Sequence, residues 1–349
     1  MSLNEKPVET PERLAFYEKI DRLAYTPLWS VFADIVTPQP KSRCRANLWR
    51  FDQAREWLLE AGKLITAEEA ERRVLILENP GMRGESKITT SLYAGLQLVM
   101  PGEVAPAHRH SQSALRFVLD GSGAHTSVNG ERTQMEFGDF VITPPWAWHD
   151  HGNDSEHPMI WLDGLDIPMA SFYDVSFAER YETAEFPQSR PAGDSLARYG
   201  SNMLPVDFQP ENQTSPIFNY PYARAREALD AMQSNQDWDP CHGLKMRYTN
   251  PVDGSSAMPT ISAFLQLLPA GFQSLPYRSS DATVFVATEG SGRSTIDGEV
   301  FEWGPRDILV TPSWKWIQHE TDTNAVLFSY SDRIAQHKLG FWREQRSDT

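Results

Sequence analysis

Residues 101–117 read PGEVAPAHRHSQSALRF, and residues 138–153 read GDFVITPPWAWHDHGN. Both are short runs rich in β-branched and aromatic residues, punctuated by glycine and proline, the texture of brief strands joined by tight turns. Alternate side chains of a strand share a face, so His108 and His110 project together. His149 follows the second run, and His151 shares its parity. Three convergent neutral imidazoles, those of His108, His110 and His149, suit a borderline transition metal such as iron, zinc, copper or nickel. A lone His-x-His pair is as often an ordinary surface or core feature. The spaced third histidine and the glycine–proline frame shift the balance to a metal site.

The neighbouring segments extend the pattern: SLYAGLQLVMPGE (91–103), TSVNGE (126–131) and MIWLDGLDIP (159–168). Closely spaced strands with turns at Asn129-Gly130 and Gly138-Asp139 predict a small barrel or sandwich. The last ninety residues repeat this block. LRFVLDGSG (115–123) aligns with VFVATEGSG (284–292), Gly130-Glu131 with Gly298-Glu299, and DFVITPPWAW (139–148) with DILVTPSWKW (307–316), at a constant offset of 168 to 169 residues. A constant offset over three separate segments marks a duplicated domain. In the second copy His108 falls on Tyr277, His110 on Ser279 and His149 on Ile317, while His151 keeps a counterpart in His319. That copy is expected to hold no metal and to serve packing and assembly.

Upstream, the first eighty residues read as helical. Thr10 caps a helix with Pro11 in its first position. A second helix runs from Asp52 to near Gly62, and Thr66 with Glu69 forms a capping-box pattern before AERRVLIL. Between the copies, one helix is expected near Ala223 to Met232. The resulting division is a helical segment at 1–85, a metal-binding barrel at 86–170, a linker with a helix at 171–258 and a metal-free barrel at 259–349.

With 349 residues, 40% hydrophobic and 23% charged, the chain has globular proportions and a length for two or more domains. A net charge of −15 argues against nucleic acid and anionic membrane surfaces as partners. No apolar run approaches a membrane span, and no basic stretch followed by an apolar one marks a signal peptide. Cys44 and Cys241 make no disulfide framework. A soluble, cytoplasmic protein is expected. No dinucleotide- or phosphate-binding glycine motif is present.

These residues resemble the cupin superfamily. Gly102, His108 and His110 match its first motif; Gly138, Pro144, His149 and Asn153 match its second. Many cupins carry a glutamate ligand four residues after the second histidine, where this chain has Ala114. Three neutral ligands leave the full 2+ charge on the metal and open positions for a chelating dianion and dioxygen. A closer resemblance, through AERR, LYAGLQL, PGEVAPAHRHSQSALRF, TPPWAWHDHGN and WLDGLDIP, is to gentisate 1,2-dioxygenases and their salicylate and 1-hydroxy-2-naphthoate relatives. It implies two cupin barrels, a homotetramer, and iron(II) on His108, His110 and His149. It further implies opening of an aromatic hydroxy acid by O2 between the carboxyl-bearing and adjacent hydroxyl-bearing carbons, giving maleylpyruvate from gentisate. The family's substrate-contacting positions fall on Arg72, Tyr93, Gly95, Gln97, Arg116, His151 and Asp163, with His151 and Asp163 as the catalytic pair.

The residues support these placements independently. Arg116 has inward parity from His110, and a buried arginine calls for an anion such as a substrate carboxylate; a structural ion pair is the plainer alternative. His151 offers an acid, base or hydrogen-bond partner. Asp163 is an acid inside an apolar run and so should be paired. Trp146, Trp148, Trp314 and Trp316 recur in both copies and mark architecture, with Trp148 beside His149 also placed to line the pocket. His125, His157, His242 and His337 take surface or structural roles by default. Rival readings are a zinc cupin isomerase and a non-enzymatic cupin that binds an aromatic acid.

Overall fold

The computed structural model describes residues 7–235 and 238–347. Residues up to Ser42 form one compact unit and residues from Arg43 onward a second. The first unit carries helices Pro11–Asp21 and Leu28–Ile35. Thr10 caps the first as expected, its hydroxyl accepting from Arg13 N at 3.3 Å, with Pro11 in the first turn.

The second unit contains two barrels, each of one six-stranded and one five-stranded antiparallel sheet. In the first barrel the larger sheet runs Asn219–Tyr220, Phe140–Thr143, Ala114–Asp120, Met159–Leu165, Tyr93–Val99, Val74–Ile76. Its smaller sheet runs Ala178–Arg180, Val104–His110, His149–Asn153, Ala124–Val128, Glu131–Met135. The second barrel repeats the plan, with Asn47–Trp49, Ile308–Thr311, Thr283–Glu289, Ala325–Ser331, Ser262–Leu268 and Leu244–Arg247 facing Glu299–Trp303, Gly292–Ile296, Ile317–Glu320, Tyr277–Ser279 and Glu344–Arg346.

The duplication extends to single side chains. Arg109 lies 4.5 Å from the ring centres of Trp146 and Trp148; Arg278 lies 4.7 and 4.5 Å from Trp314 and Trp316. Trp146 and Trp314 both take positive φ, 64° and 62°. The turns Asn129-Gly130 and Asp297-Gly298 have positive φ at both residues, as a type I′ hairpin turn requires. Asn129 Oδ1 accepts from Trp148 N at 3.0 Å, and Asp297 Oδ1 from Trp316 N at 2.9 Å.

The two six-stranded sheets are apolar on their outer faces and pack together. Leu96, Leu115, Phe117, Phe140 and Leu162 of one meet Leu265, Val284, Val310, Phe328 and Tyr330 of the other in a single core. Phe117 stacks on Phe328 with centroids 4.0 Å apart and planes 10° from parallel. This shared core replaces the water that each barrel alone would leave on about one face.

The helices at Phe51–Leu64 and Tyr222–Gln233 cover the two expected there. Two short strands, Asn47–Trp49 and Val74–Ile76, lie within the stretch read as helical, and three more, Ala178–Arg180, Asn219–Tyr220 and Leu244–Arg247, within the connecting stretch. The Thr66–Glu69 capping box forms, but its helix spans only Ala67–Ala70. Val74–Ile76 leaves it to pair with Gln97–Gly95, because β-branched apolar residues gain more on the sheet than in a helix turn.

Phe328→Ala should cost about 3–5 kcal/mol of unfolding free energy by emptying the inter-barrel stack. Urea denaturation against wild type measures it, and an unchanged midpoint would show that the barrels do not depend on this contact.

Candidate metal centre

His108 and His149 are direct cross-strand partners on Val104–His110 and His149–Asn153, and His110 follows two residues along the same face. The register shifts between Ala105 and His108, a bulge that re-aims the strand next to the site. Ring centroids lie 4.1 Å apart for His108–His149, 4.8 Å for His110–His149 and 5.4 Å for His108–His110. One ligand nitrogen from each lies within 4.8 Å of the others. Among the described residues this is the one such group of three.

Hydrogen bonds fix which nitrogen is offered. His110 Nδ1 is 3.0 Å from Gln112 O, and His149 Nδ1 is 2.9 Å from Ala147 O. A carbonyl only accepts, so Nδ1 carries the proton and Nε2 the lone pair. His149 Nε2 is buried without a hydrogen-bond partner, an orphan that a metal ion satisfies. His108 Nδ1 lies 3.2 Å from Pro106 O and 2.6 Å from Arg72 Nη2. The two contacts require opposite tautomers, since guanidinium only donates. The tautomer that ligates a metal through Nε2 keeps the Pro106 contact and releases Arg72.

Burial holds all three rings neutral. The first cause is desolvation, reinforced by Arg72 and His110 at His108, which is pulled down to about 2. Desolvation with Arg116 brings His110 to about 4, and His149 lies well below the usual imidazole range. Neutral imidazoles are the form a divalent ion takes up.

The remaining sequence-chosen residues gather around this cluster. Arg116 sits on the strand Ala114–Asp120, directly paired with Asp163, which pairs in turn with Gly95. Arg116 is only 4% exposed, donates from Nη1 to Thr143 Oγ1 at 2.7 Å, and stands 3.6 Å from Asp163 Oδ1 through Nε. That Nε has no hydrogen-bond partner. Asp163 is raised to about 6 by burial, with Arg116 and the Trp161 indole N–H, 2.9 Å away, opposing. Thus the structural ion pair exists, and it is loose. Arg72 is lowered to about 10 by burial and by Arg116. His151 is fully buried and neutral, its Nδ1 2.9 Å from Thr126 Oγ1. Tyr93 is raised by burial and by Asp163. Gln97 is buried on the same face of its strand as Gly95. A Cβ on Gly95 would meet Tyr93 Oη at 2.7 Å and Val74 Cγ1 at 2.4 Å, so any larger residue must displace these side chains.

Trp148 does not line the pocket. Its ring packs against Tyr181, Phe186 and Arg109, on the opposite side of the chain from the adjacent His149, as strand alternation dictates. Of the histidines without a frame, His157 is exposed, His337 stacks on Trp342, and His125 is buried. Sequence reasoning missed Trp161 and Thr126, which hold Asp163 and His151. Trp161 shares its strand face with Asp163, which was the available signal; Thr126 meets His151 only through strand pairing. It also missed Ala178–Arg180, which pairs with His110–His108 and covers the edge of the ligand strand. In the second barrel Tyr277 pairs with Ile317, the register of His108 with His149.

The fold and this cluster define the class: a two-barrel cupin with a three-histidine centre. A cupin domain matches residues 95–165. The chain is 64% identical over 99% of its length to gentisate 1,2 dioxygenase 1 of Aquipseudomonas alcaligenes, all of which is covered. It is 34% identical to the 5-aminosalicylate 1,2-dioxygenase of a Comamonas species, over 95% of this chain and 89% of that one. The salicylate 1,2-dioxygenase of Pseudoaminobacter salicylatoxidans, in its adduct with gentisate, superposes with a TM-score of 0.93 at 32% identity, covering 100% of this chain and 98% of that one. The chain belongs to the gentisate 1,2-dioxygenase family of cupin enzymes.

Replacing His108, His110 or His149 with alanine should remove most bound metal. Metal analysis of reconstituted wild type should give about one ion per chain, as expected for one intact ligand set. Two tightly held ions per chain, or full metal in an alanine variant, would contradict the assignment.

Proposed function

We propose that this chain is an iron(II)-dependent dioxygenase that opens gentisate (2,5-dihydroxybenzoate) between the carboxyl-bearing and adjacent hydroxyl-bearing carbons, yielding maleylpyruvate with both atoms of O2 incorporated. The observation that carries this reading is a ligand set of three imidazoles, with Ala114 in place of a carboxylate, beside two buried guanidiniums in one barrel. The family membership supports it. Iron(II) held by His108, His110 and His149 supplies the redox chemistry that joins dioxygen to the ring.

The chain's own residues do the rest. Arg116, its Nε unpartnered, and Arg72, released from His108 Nδ1, bind the substrate carboxylate. Asp163 and Trp161 hold Arg116 in place. His151, neutral and tied at Nδ1, offers Nε2 to a ring hydroxyl as hydrogen-bond partner or proton acceptor. Tyr93 and Gly95 shape the side of the pocket, and Gln97 lies next to them on the same strand face. The same reading takes the enzyme as cytoplasmic, on its sequence composition, and as a homotetramer, on the family resemblance. No described helix is long and apolar enough to cross a membrane.

Oxygen uptake by iron-loaded protein with gentisate, salicylate, 5-aminosalicylate, catechol and hydroquinone tests the proposal. Catechol, which gives the arginines no carboxylate, should lose about 2–4 kcal/mol, or roughly thirty- to several-hundredfold in kcat/KM. Hydroquinone, which also lacks the chelate, should be poorer still. Gentisate should exceed salicylate, because its second hydroxyl enriches the ring. Equal turnover of catechol and gentisate would point to ordinary catechol cleavage.

Gly95→Ala should drive the Tyr93 hydroxyl from its position, lowering kcat/KM for gentisate by about ten- to a hundredfold while leaving iron content intact. Steady-state kinetics beside metal analysis distinguishes this from loss of the metal.

A further inference from the structure

The second barrel lost the histidines, yet its interior is not plain hydrocarbon. Phe264 and Phe285 stand where the first barrel has Gly95 and Arg116, one repeat offset away. Tyr277 and Ile317 stand at the register of His108 and His149. What remains is a cavity of about 20 Å³, lined among others by Lys245, His242, Thr311, His319 and Arg333. That is room for about one water-sized occupant.

Lys245 is the anomaly. It lies opposite Gln266 across two strands, the position that Val74 takes opposite Gln97 in the first barrel. An apolar residue there has given way to an ammonium group inside the barrel. Its Nζ stands 4.9 Å from the Phe264 ring centre and 5.9 Å from that of Phe285. Lys245 is half-buried and lines the cavity. Among the described residues it has neither a hydrogen bond nor an ion pair.

The nearby acids are already engaged. Asp281 accepts from Arg333 Nε at 3.4 Å and from Trp342 Nε1 at 2.9 Å. Asp239 accepts from Arg346 Nη1 at 2.6 Å. His319 and His242 are neutral, both pushed below the usual range by burial and by Lys245 itself. Glu344 accepts from the Tyr277 hydroxyl at 2.9 Å. Lys245 and Arg333 therefore face the cavity with Asp281 on its lining already engaged, and the Lys245 ammonium is left without a direct partner. Burial and then Arg333 draw the ammonium down to about 7, with Asp281 and Asp239 opposing. The Thr311 hydroxyl, also on the cavity, is buried without a partner and is free to donate.

We propose that the second barrel holds a small monovalent anion of halide size against Lys245 Nζ and the Thr311 hydroxyl. The volume admits a single-atom ion and excludes an aromatic acid, so this site is separate in chemistry from the metal centre. Its occupant gives the Lys245 ammonium a direct partner and stabilises the barrel that carries it.

The test uses iron-loaded enzyme crystallised without chloride and soaked in millimolar bromide. An anomalous peak beside Lys245 Nζ is expected, and competing chloride should erase it. In solution at fixed ionic strength, exchanging gluconate for chloride should raise the unfolding midpoint to a plateau in wild type and not in Lys245→Met, with iron content equal in both. An ordered water without bromide overturns the proposal. So does a peak that appears only in molar bromide, an adventitious ion only, and so does an undiminished chloride response in Lys245→Met. The crystallographic arm needs no variant and decides the matter if Lys245→Met does not fold.

Discussion

Imidazole rings packed 4.1 to 5.4 Å apart inside a β-barrel cannot take a second proton, and this constraint organises the first barrel. A positive charge on any ring would be unsolvated and would face Arg72 and Arg116. The rings are therefore neutral, and backbone carbonyls aim their remaining lone pairs inward. A cluster of neutral donors beside two guanidiniums lacks negative charge. Asp163 supplies some, from 3.6 Å, at a position where burial has already weakened its acidity. The barrel is left electrostatically incomplete, and an anionic chelator of a divalent metal completes it.

The ligands were legible in the sequence because their placement is local. Parity along one strand sets His108 beside His110, and a turn of fixed geometry, ending in Trp146 at positive φ, delivers His149 opposite. Arg116 was legible for the same reason. What escaped detection depends on distant chain. The bulge between Ala105 and His108 exists only relative to the partner strand. Three-residue strands such as Ala178–Arg180 and Val74–Ile76 are too short to show a period. Trp148 was misjudged because adjacency to His149 in sequence places it on the opposite side of the chain. That the second copy lacks the ligands was readable; that it places an ammonium without a direct partner at Lys245 was not, since Lys245 lies outside the aligned segments.

The second barrel takes part in building the first. Tyr330 is fully buried, and its hydroxyl donates to the Tyr93 carbonyl at 3.2 Å, reaching the strand that shapes the pocket. Ser91 Oγ donates to Asp332 at 2.8 Å, and Asp166 accepts from Ser113 N at 2.9 Å while bonding the Thr260 hydroxyl. These bonds cross a core of apolar side chains in which stacked phenylalanines set the spacing. The copy without the three histidines keeps the same sheet, and that sheet's outer face supports the other copy.

The strand Ala178–Arg180 bears on synthesis as well as on structure. As the chain emerges from a ribosome, Val104–His110 and His149–Asn153 can pair early, since little chain separates them. One edge of the ligand strand then stays open until Ala178–Arg180 arrives to close it. In that interval the nascent protein displays two of its histidines on an unpaired β-edge, the kind of surface that recruits other strands. Completion of the metal centre is in this sense a late event, timed by a segment that contributes no ligand.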